Sequence, residues 1–112
     1  MVYDKNNVFY KIIHGDIKSE VVLNTKHCIA IHDIQPKAPI HILVIPKGEY
    51  ITYDEFINKA SEYEILDLQN QIVQIVNMFN LKKSGYQIVV NNGKFAKQEV
   101  PHVHIHVMGK KV

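Results

Sequence analysis

The segment His102-Val103-His104-Ile105-His106-Val107 alternates imidazole and aliphatic side chains with a period of two. A helix would scatter these groups around its axis. An extended strand puts the three rings on one face and Val103, Ile105 and Val107 on the other. The three histidine Cα atoms then span roughly 13 Å, at about 3.3 Å per residue, with His104 at the centre. Six residues thus specify an apolar face that must meet a core and a row of ionisable groups opposite it.

The cover for the apolar face is the longest periodic stretch of the chain. Ser61-Glu62-Tyr63-Glu64 matches a capping box, with Ser61 as cap and Glu64 reaching back to it. Ile65, Leu68, Ile72, Ile75, Val76 and Phe79 follow on one helical face, which predicts a helix over about 62–80. Gly85 is read as its left-handed stop. Earlier, Phe9, Ile12 and Ile13 support one helical turn ended by Gly15-Asp16, and 52–57 reads as a second short helix. Val21-Val22-Leu23 and His27–Ile31 form a hairpin about Asn24-Thr25-Lys26. Two prolines make Asp33–Pro39 a loop, and Ile40–Ile45 is continuous and β-branched, as in a central strand covered on both faces and stopped by Pro46. Tyr86–Asn91 and His102–Val107 are the last strands, joined by a loop of about nine residues, longer than an ordinary hairpin. The expected fold class is α+β, an antiparallel sheet of about five strands with one long helix and one or two short ones.

The 112 residues suffice for one domain, 1–112, and no linker, repeat or low-complexity block divides them. A net charge of +2 with scattered lysine pairs argues against a nucleic-acid polymer as partner. No apolar run approaches the roughly 18 residues of a membrane span, and the polar start Met1–Asn7 lacks the apolar stretch of a signal peptide. The single Cys28 fits a reducing compartment. These features give the expectation of a soluble, cytoplasmic protein without a membrane partner.

Seven histidines are the unusual element of the composition. Three readings of the strand row remain open on residue chemistry alone. It can be structural, each ring hydrogen-bonded in place. Two histidines at i, i+2 can ligate zinc, with His41 or a carboxylate as a further ligand. A neutral imidazole can also act as a nucleophile.

The row, with Met108 and Gly109 following, resembles the His-φ-His-φ-His-φ-φ motif of the histidine-triad (HIT) family. Phe9-Tyr10-Lys11-Ile12-Ile13 with Asp16-Ile17 is similar to the family's amino-terminal block. Asp33-Ile34-Gln35-Pro36-Lys37-Ala38-Pro39-Ile40-His41 through Lys47 is similar to a second, and Gly85-Tyr86 through Asn91, Gly93 and Gln98 to a third. The match is to the Hint-like branch of nucleotide hydrolases and transferases. The resemblance implies a HIT-like fold, a homodimer, no cofactor and no metal. The implied reaction is cleavage at the α-phosphate of a purine nucleoside phosphoramidate or related nucleotide, through a nucleotidyl-histidine. It makes His104 the nucleophile and His106 the group that carries the leaving-group proton. His102, with His41 beside it, orients the row. Asp33 accepts the ribose hydroxyls, Ile17, Ile31 and Ile34 wall the base, and Asn91, Gln98 and Glu99 border the phosphate. His14, His27 and His32 match no functional position and read as surface or second-layer residues.

The chain departs from the family pattern at three places. Lys97 stands where glycine usually precedes Gln98, Glu99 replaces a Ser or Thr, and Lys18 replaces a proline. A carboxylate near a phosphate is repelled unless it points away or pairs with Lys94 or Lys97. Two alternatives to the enzyme therefore accompany it: a nucleotide-binding or protein-interaction module with weakened catalysis, and a zinc-binding protein.

Overall fold

The structure, a computed structural model, describes residues 2–111. In chain order the elements are α1 (Val8–Ile13), β1 (Val21–Asn24), β2 (Cys28–His32), β3 (Ile40–Pro46), α2 (Tyr53–Lys59), α3 (Glu62–Met78), β4 (Tyr86–Val89) and β5 (Ile105–Gly109). The strands form one antiparallel sheet in the order β1-β2-β3-β5-β4. The α+β class and the number of strands agree with the pattern read from the sequence.

Local chemistry sets the helix starts. Asn7 accepts the Tyr10 N–H at the head of α1, Thr52 caps α2, and Ser61 and Glu64 form the reciprocal capping box of α3. The stop of α3 differs from expectation. Asn80, with φ 52°, takes the left-handed position behind Phe79, and Gly85 (φ 97°) serves a later turn that delivers the chain into β4. Asparagine tolerates that conformation because its short polar side chain can hydrogen-bond locally.

The sheet is covered on both faces at its centre. On one face Leu68, Ile72, Ile75 and Val76 of α3 pack on Cys28, Ala30, Ile42, Val44, Val103, Ile105 and Val107. On the other, Phe9 of α1 packs on Ile29, Ile31, Leu43 and Ile45. This double cover accounts for the unbroken apolar run of β3, whereas β1 and β4 at the two edges are largely exposed.

The last strand is shorter than its alternation implies. Pairing with β3 starts at Ile105 opposite Val44, and residues 102–104 leave the ladder. There the Val103 N–H donates to the Tyr50 carbonyl instead, while the carbonyl of Pro46 is taken by the His102 ring. The extended alternation persists through this stretch, since Val103 still joins the α3 core and His102 and His104 face the opposite side with Phe9.

Candidate functional site

Between α1, the sheet and two loops lies a cavity of about 390 Å³, in the range of small-molecule sites. Its floor is His104, His106, Leu43 and Ile31, and Phe9, Ile12 and Ile17 form an apolar wall. Asp33 and Ile34 border one end, and Asn91, Lys97, Gln98 and Glu99 the other loop. Nine of the residues singled out in the sequence thus meet in one cavity: His104, His106, Asp33, Ile17, Ile31, Ile34, Asn91, Gln98 and Glu99. Ile34 is 91% exposed and contributes only at the rim. His102 and His41, both buried, stand behind the floor and not in it.

The backbone assigns the protons. A neutral imidazole has one N–H and one lone pair, so a partner at one nitrogen decides the other. His104 Nδ1 lies 2.7 Å from the carbonyl of His102 and donates to it, which leaves Nε2 of His104 as a bare lone pair. His102 Nε2 donates to the Pro46 carbonyl at 2.6 Å, so its Nδ1 is an acceptor, and the Tyr3 hydroxyl donates there. At the far end the Lys37 backbone N–H donates to His41 Nδ1 at 3.0 Å, placing the His41 proton on Nε2. That nitrogen donates to His106 Nδ1 at 2.9 Å and lies 3.3 Å from the Asp33 carboxylate. His106 in turn keeps its proton on Nε2. The row therefore offers a nucleophilic nitrogen at His104 and an N–H donor at His106.

The expected neighbour of His41 was His102, and the structure places it beside His106 instead. The antiparallel register pairs His41 with Met108, at the end of the row remote from His102. His41, His106 and Asp33 also bring three donor atoms within 4.8 Å of one another. The Lys37 N–H makes that spacing unsuitable for zinc, because the His41 nitrogen facing the group carries a proton, whereas a ligating histidine donates its other N–H outward. The trio is arranged as a hydrogen-bond relay.

Burial lowers the pKa of all four rings. His102 and His106 fall from 6.5 to about 4, His106 with further lowering from the neighbouring His104 and His41. Desolvation likewise lowers His104 and His41, partly opposed at His104 by its bond to the His102 carbonyl and at His41 by the Asp33 charge. His104 thus keeps its lone pair at pH values where an ordinary histidine is already protonated.

The loop between β4 and β5 is held by Gln98. Its Oε1 accepts the Gly93 N–H at 2.8 Å, and its Nε2 donates to the carbonyls of Ile51 at 2.7 Å and Val100 at 3.0 Å. The side chain expected at a phosphate is thus a loop brace whose amide is already committed. Asn92 docks the same loop on α2 through the Tyr53 N–H. Lys97 sits at φ 61°, the left-handed region, which explains why glycine suits this position. Glu99 pairs with neither Lys94 nor Lys97 among the described residues, and its charge acts on His104. Asp33 serves two purposes, accepting the Gln35 N–H in a turn through Oδ1 and facing His41 through Oδ2. Three contributors escaped the sequence reading: the Tyr3 hydroxyl, the ring of Phe9, 4.8 Å edge-on from His104, and the backbone of Lys37. Phe9 stood in a recognisable block, but nothing in the sequence marks the other two.

A family model described as HIT domain matches residues 14–112. The chain is 49% identical over 105 residues to a 13.2 kDa HIT-like protein of Azospirillum brasilense, covering 94% of this chain and 86% of that one. Among solved structures it is similar to a HIT family hydrolase from Legionella pneumophila, with a TM-score of 0.87, 32% identity and coverage of 96% and 95% of the two chains. A histidine triad nucleotide-binding protein from Candida albicans superposes with a TM-score of 0.76 at 29% identity, over 96% of this chain and 76% of that one. The chain belongs to the HIT family.

Two outcomes follow for stability. Lys97→Gly removes a left-handed penalty larger than the entropy glycine adds to the unfolded chain, and should raise the free energy of unfolding by about 0.5–1 kcal/mol in a urea titration. As pH falls below 6.5 the unfolded chain protonates His102 while the folded chain does not until about 4. Stability should therefore be level from pH 6.5 to about pH 8, below the range where the buried Cys28 thiol titrates in the unfolded chain, and decline towards pH 4, with His102 contributing at most about 1.4 kcal/mol per pH unit. Urea midpoints measured across that window check it, and the decline should shrink in His102→Gln.

Proposed function

We propose that the protein is a nucleotide-binding hydrolase or transferase of the histidine-triad type, acting at the α-phosphate of a purine nucleoside phosphoramidate or related nucleotide. The observation that carries the reading is the bare Nε2 of His104 on the floor of the cavity, its Nδ1 proton committed to the His102 carbonyl. Nε2 attacks phosphorus, the P–N or P–O bond to the leaving group breaks, and the leaving group takes the proton from His106 Nε2. Water then attacks the phosphorus of the nucleotidyl-His104 and gives a proton back to His106 Nε2 as the P–N bond to His104 breaks, which returns both neutral imidazoles and releases the nucleoside monophosphate. His41 keeps His106 in its donor tautomer, and Asp33 lines the cavity, where the carboxylate lone pairs not used by the Gln35 N–H and His41 accept ribose hydroxyls. The names of the similar Legionella and Candida proteins, a hydrolase and a nucleotide-binding protein, support the same class.

A second reading, a nucleotide-binding module with weak turnover, is favoured by one observation. The carboxylate of Glu99 on the cavity wall, in no ion pair among the described residues, opposes an incoming phosphate. A homodimer and a cytoplasmic location belong to the same proposal. Edge strand β4 exposes Tyr86 and Ile88, as an edge awaiting a partner does. Cys28 is buried and unpaired, and no helix among the described residues is long and apolar enough to cross a membrane.

Wild-type protein should release AMP from adenosine 5′-phosphoramidate, and His104→Ala, with an unchanged circular dichroism spectrum, should lose roughly 10³-fold or more of kcat. Equal turnover by the two would remove the enzyme reading. Nucleotide binding by calorimetry without turnover in the wild type would select the module. Light scattering should give twice the chain mass, and Ile88→Lys should halve it; a monomeric wild type would refute the dimer.

A further inference from the structure

The amino-terminal segment meets the triad from outside the stretch that the family model covers. That model begins at residue 14, and Tyr3 lies well before it. The segment is nonetheless built to a definite shape. Asp4 accepts the Asn6 N–H at 2.9 Å through its carboxylate, and its carbonyl accepts the Asn7 side-chain amide at 2.7 Å. Asn7 is buried and caps α1, which pins the turn against the sheet. The Tyr3 ring then stands edge-on to His102, centroids 5.5 Å apart, with Tyr10 at 6.1 Å on another side.

His102 has no solvent exposure, so water cannot serve its second nitrogen. Its Nε2–H is spent on Pro46, and the lone pair on Nδ1 requires a donor. The Tyr3 hydroxyl is that donor. We infer that Tyr3 is a positioning residue of the triad: its hydroxyl holds the His102 ring, and through it the His102 carbonyl that fixes the proton of His104. Without the hydroxyl the Nδ1 lone pair regains a donor only if the ring turns, since exchanging the tautomer would leave Nδ1–H without an acceptor and set a lone pair against the Pro46 carbonyl. Turning displaces residue 102. That motion loosens the acceptor of the His104 Nδ1–H, so the proton spreads to Nε2 and the fraction of molecules with a nucleophilic nitrogen falls. Tyr3 does not line the cavity, so substrate affinity is outside its reach.

The consequence for rate rests on the proposed function, whereas the consequence for the tautomer does not. The test compares wild type with Tyr3→Phe, which keeps the ring and deletes only the hydroxyl, and with Tyr3→Ala. Long-range proton–nitrogen NMR at pH 7.5, with ring signals assigned through His102→Gln and His104→Gln, reads each tautomer directly. In the wild type the two His104 nitrogens should be widely separated, with Nδ1 protonated. In Tyr3→Phe they should move towards each other. With adenosine 5′-phosphoramidate, kcat should fall about fivefold in both variants while KM stays within about twofold. Wild-type His104 nitrogen shifts in Tyr3→Phe overturn the inference, whether or not kcat changes. Unchanged kcat in Tyr3→Phe together with shifted nitrogens also overturns it, since the tautomer would then not limit the reaction. A wild type with no turnover counts against the proposed function, and the NMR comparison still decides the role of Tyr3.

Discussion

Three backbone groups decide where every proton of the histidine row resides: the carbonyls of Pro46 and His102 and the N–H of Lys37. A side-chain partner could titrate, whereas a peptide group cannot, so each contact fixes the tautomer of its ring for as long as that peptide stays in place. Each neutral ring has one donor and one acceptor, so a single backbone contact settles the chemistry of its other nitrogen. The two rings on the cavity floor are fixed in opposite senses. His104 presents a lone pair and His106 an N–H, and a displacement at phosphorus needs one of each.

That arrangement depends on the rings staying neutral, which in turn depends on a sheet buried on both faces. Helix α3 alone would leave the imidazole face wet. Phe9 and α1 close over Ile29, Ile31, Leu43 and Ile45, and the edge of the same cover meets His102 and His104. Desolvation then depresses the ring pKa values more than the Asp33 charge raises them. The charged residues stay at the mouth, where Lys97 and Glu99 ride on a loop braced internally by Gln98. Lys97, the non-glycine residue of that loop in the left-handed region, is also a departure from the family pattern, so the fold keeps the loop shape at a local conformational cost.

Much of the fold was legible because its signals are local. A period of two over 102–107, a capping box at Ser61 and Glu64, and a β-branched run stopped by Pro46 each depend on residues adjacent in sequence. The misreadings arose where a distant partner intervened. The Tyr50 carbonyl drew Val103 off the ladder, so β5 starts at Ile105 and not at His102. Asn80 and not Gly85 turned the chain at the end of α3, because asparagine can enter the left-handed region and lay closer to the last helical turn.

The same division runs through the site. The identity of the row, the aliphatic face behind it and the carboxylate of Asp33 are properties of the sequence, because alternation in an extended chain has only one geometric outcome. The tertiary structure decided that His41 serves His106, that Gln98 holds a loop and that Tyr3 reaches His102. Those contacts span between 47 and 99 residues, except for the short bonds within the Gln98 loop. They follow from strand register and from how the amino-terminal turn docks on the sheet, neither of which any local sequence pattern encodes.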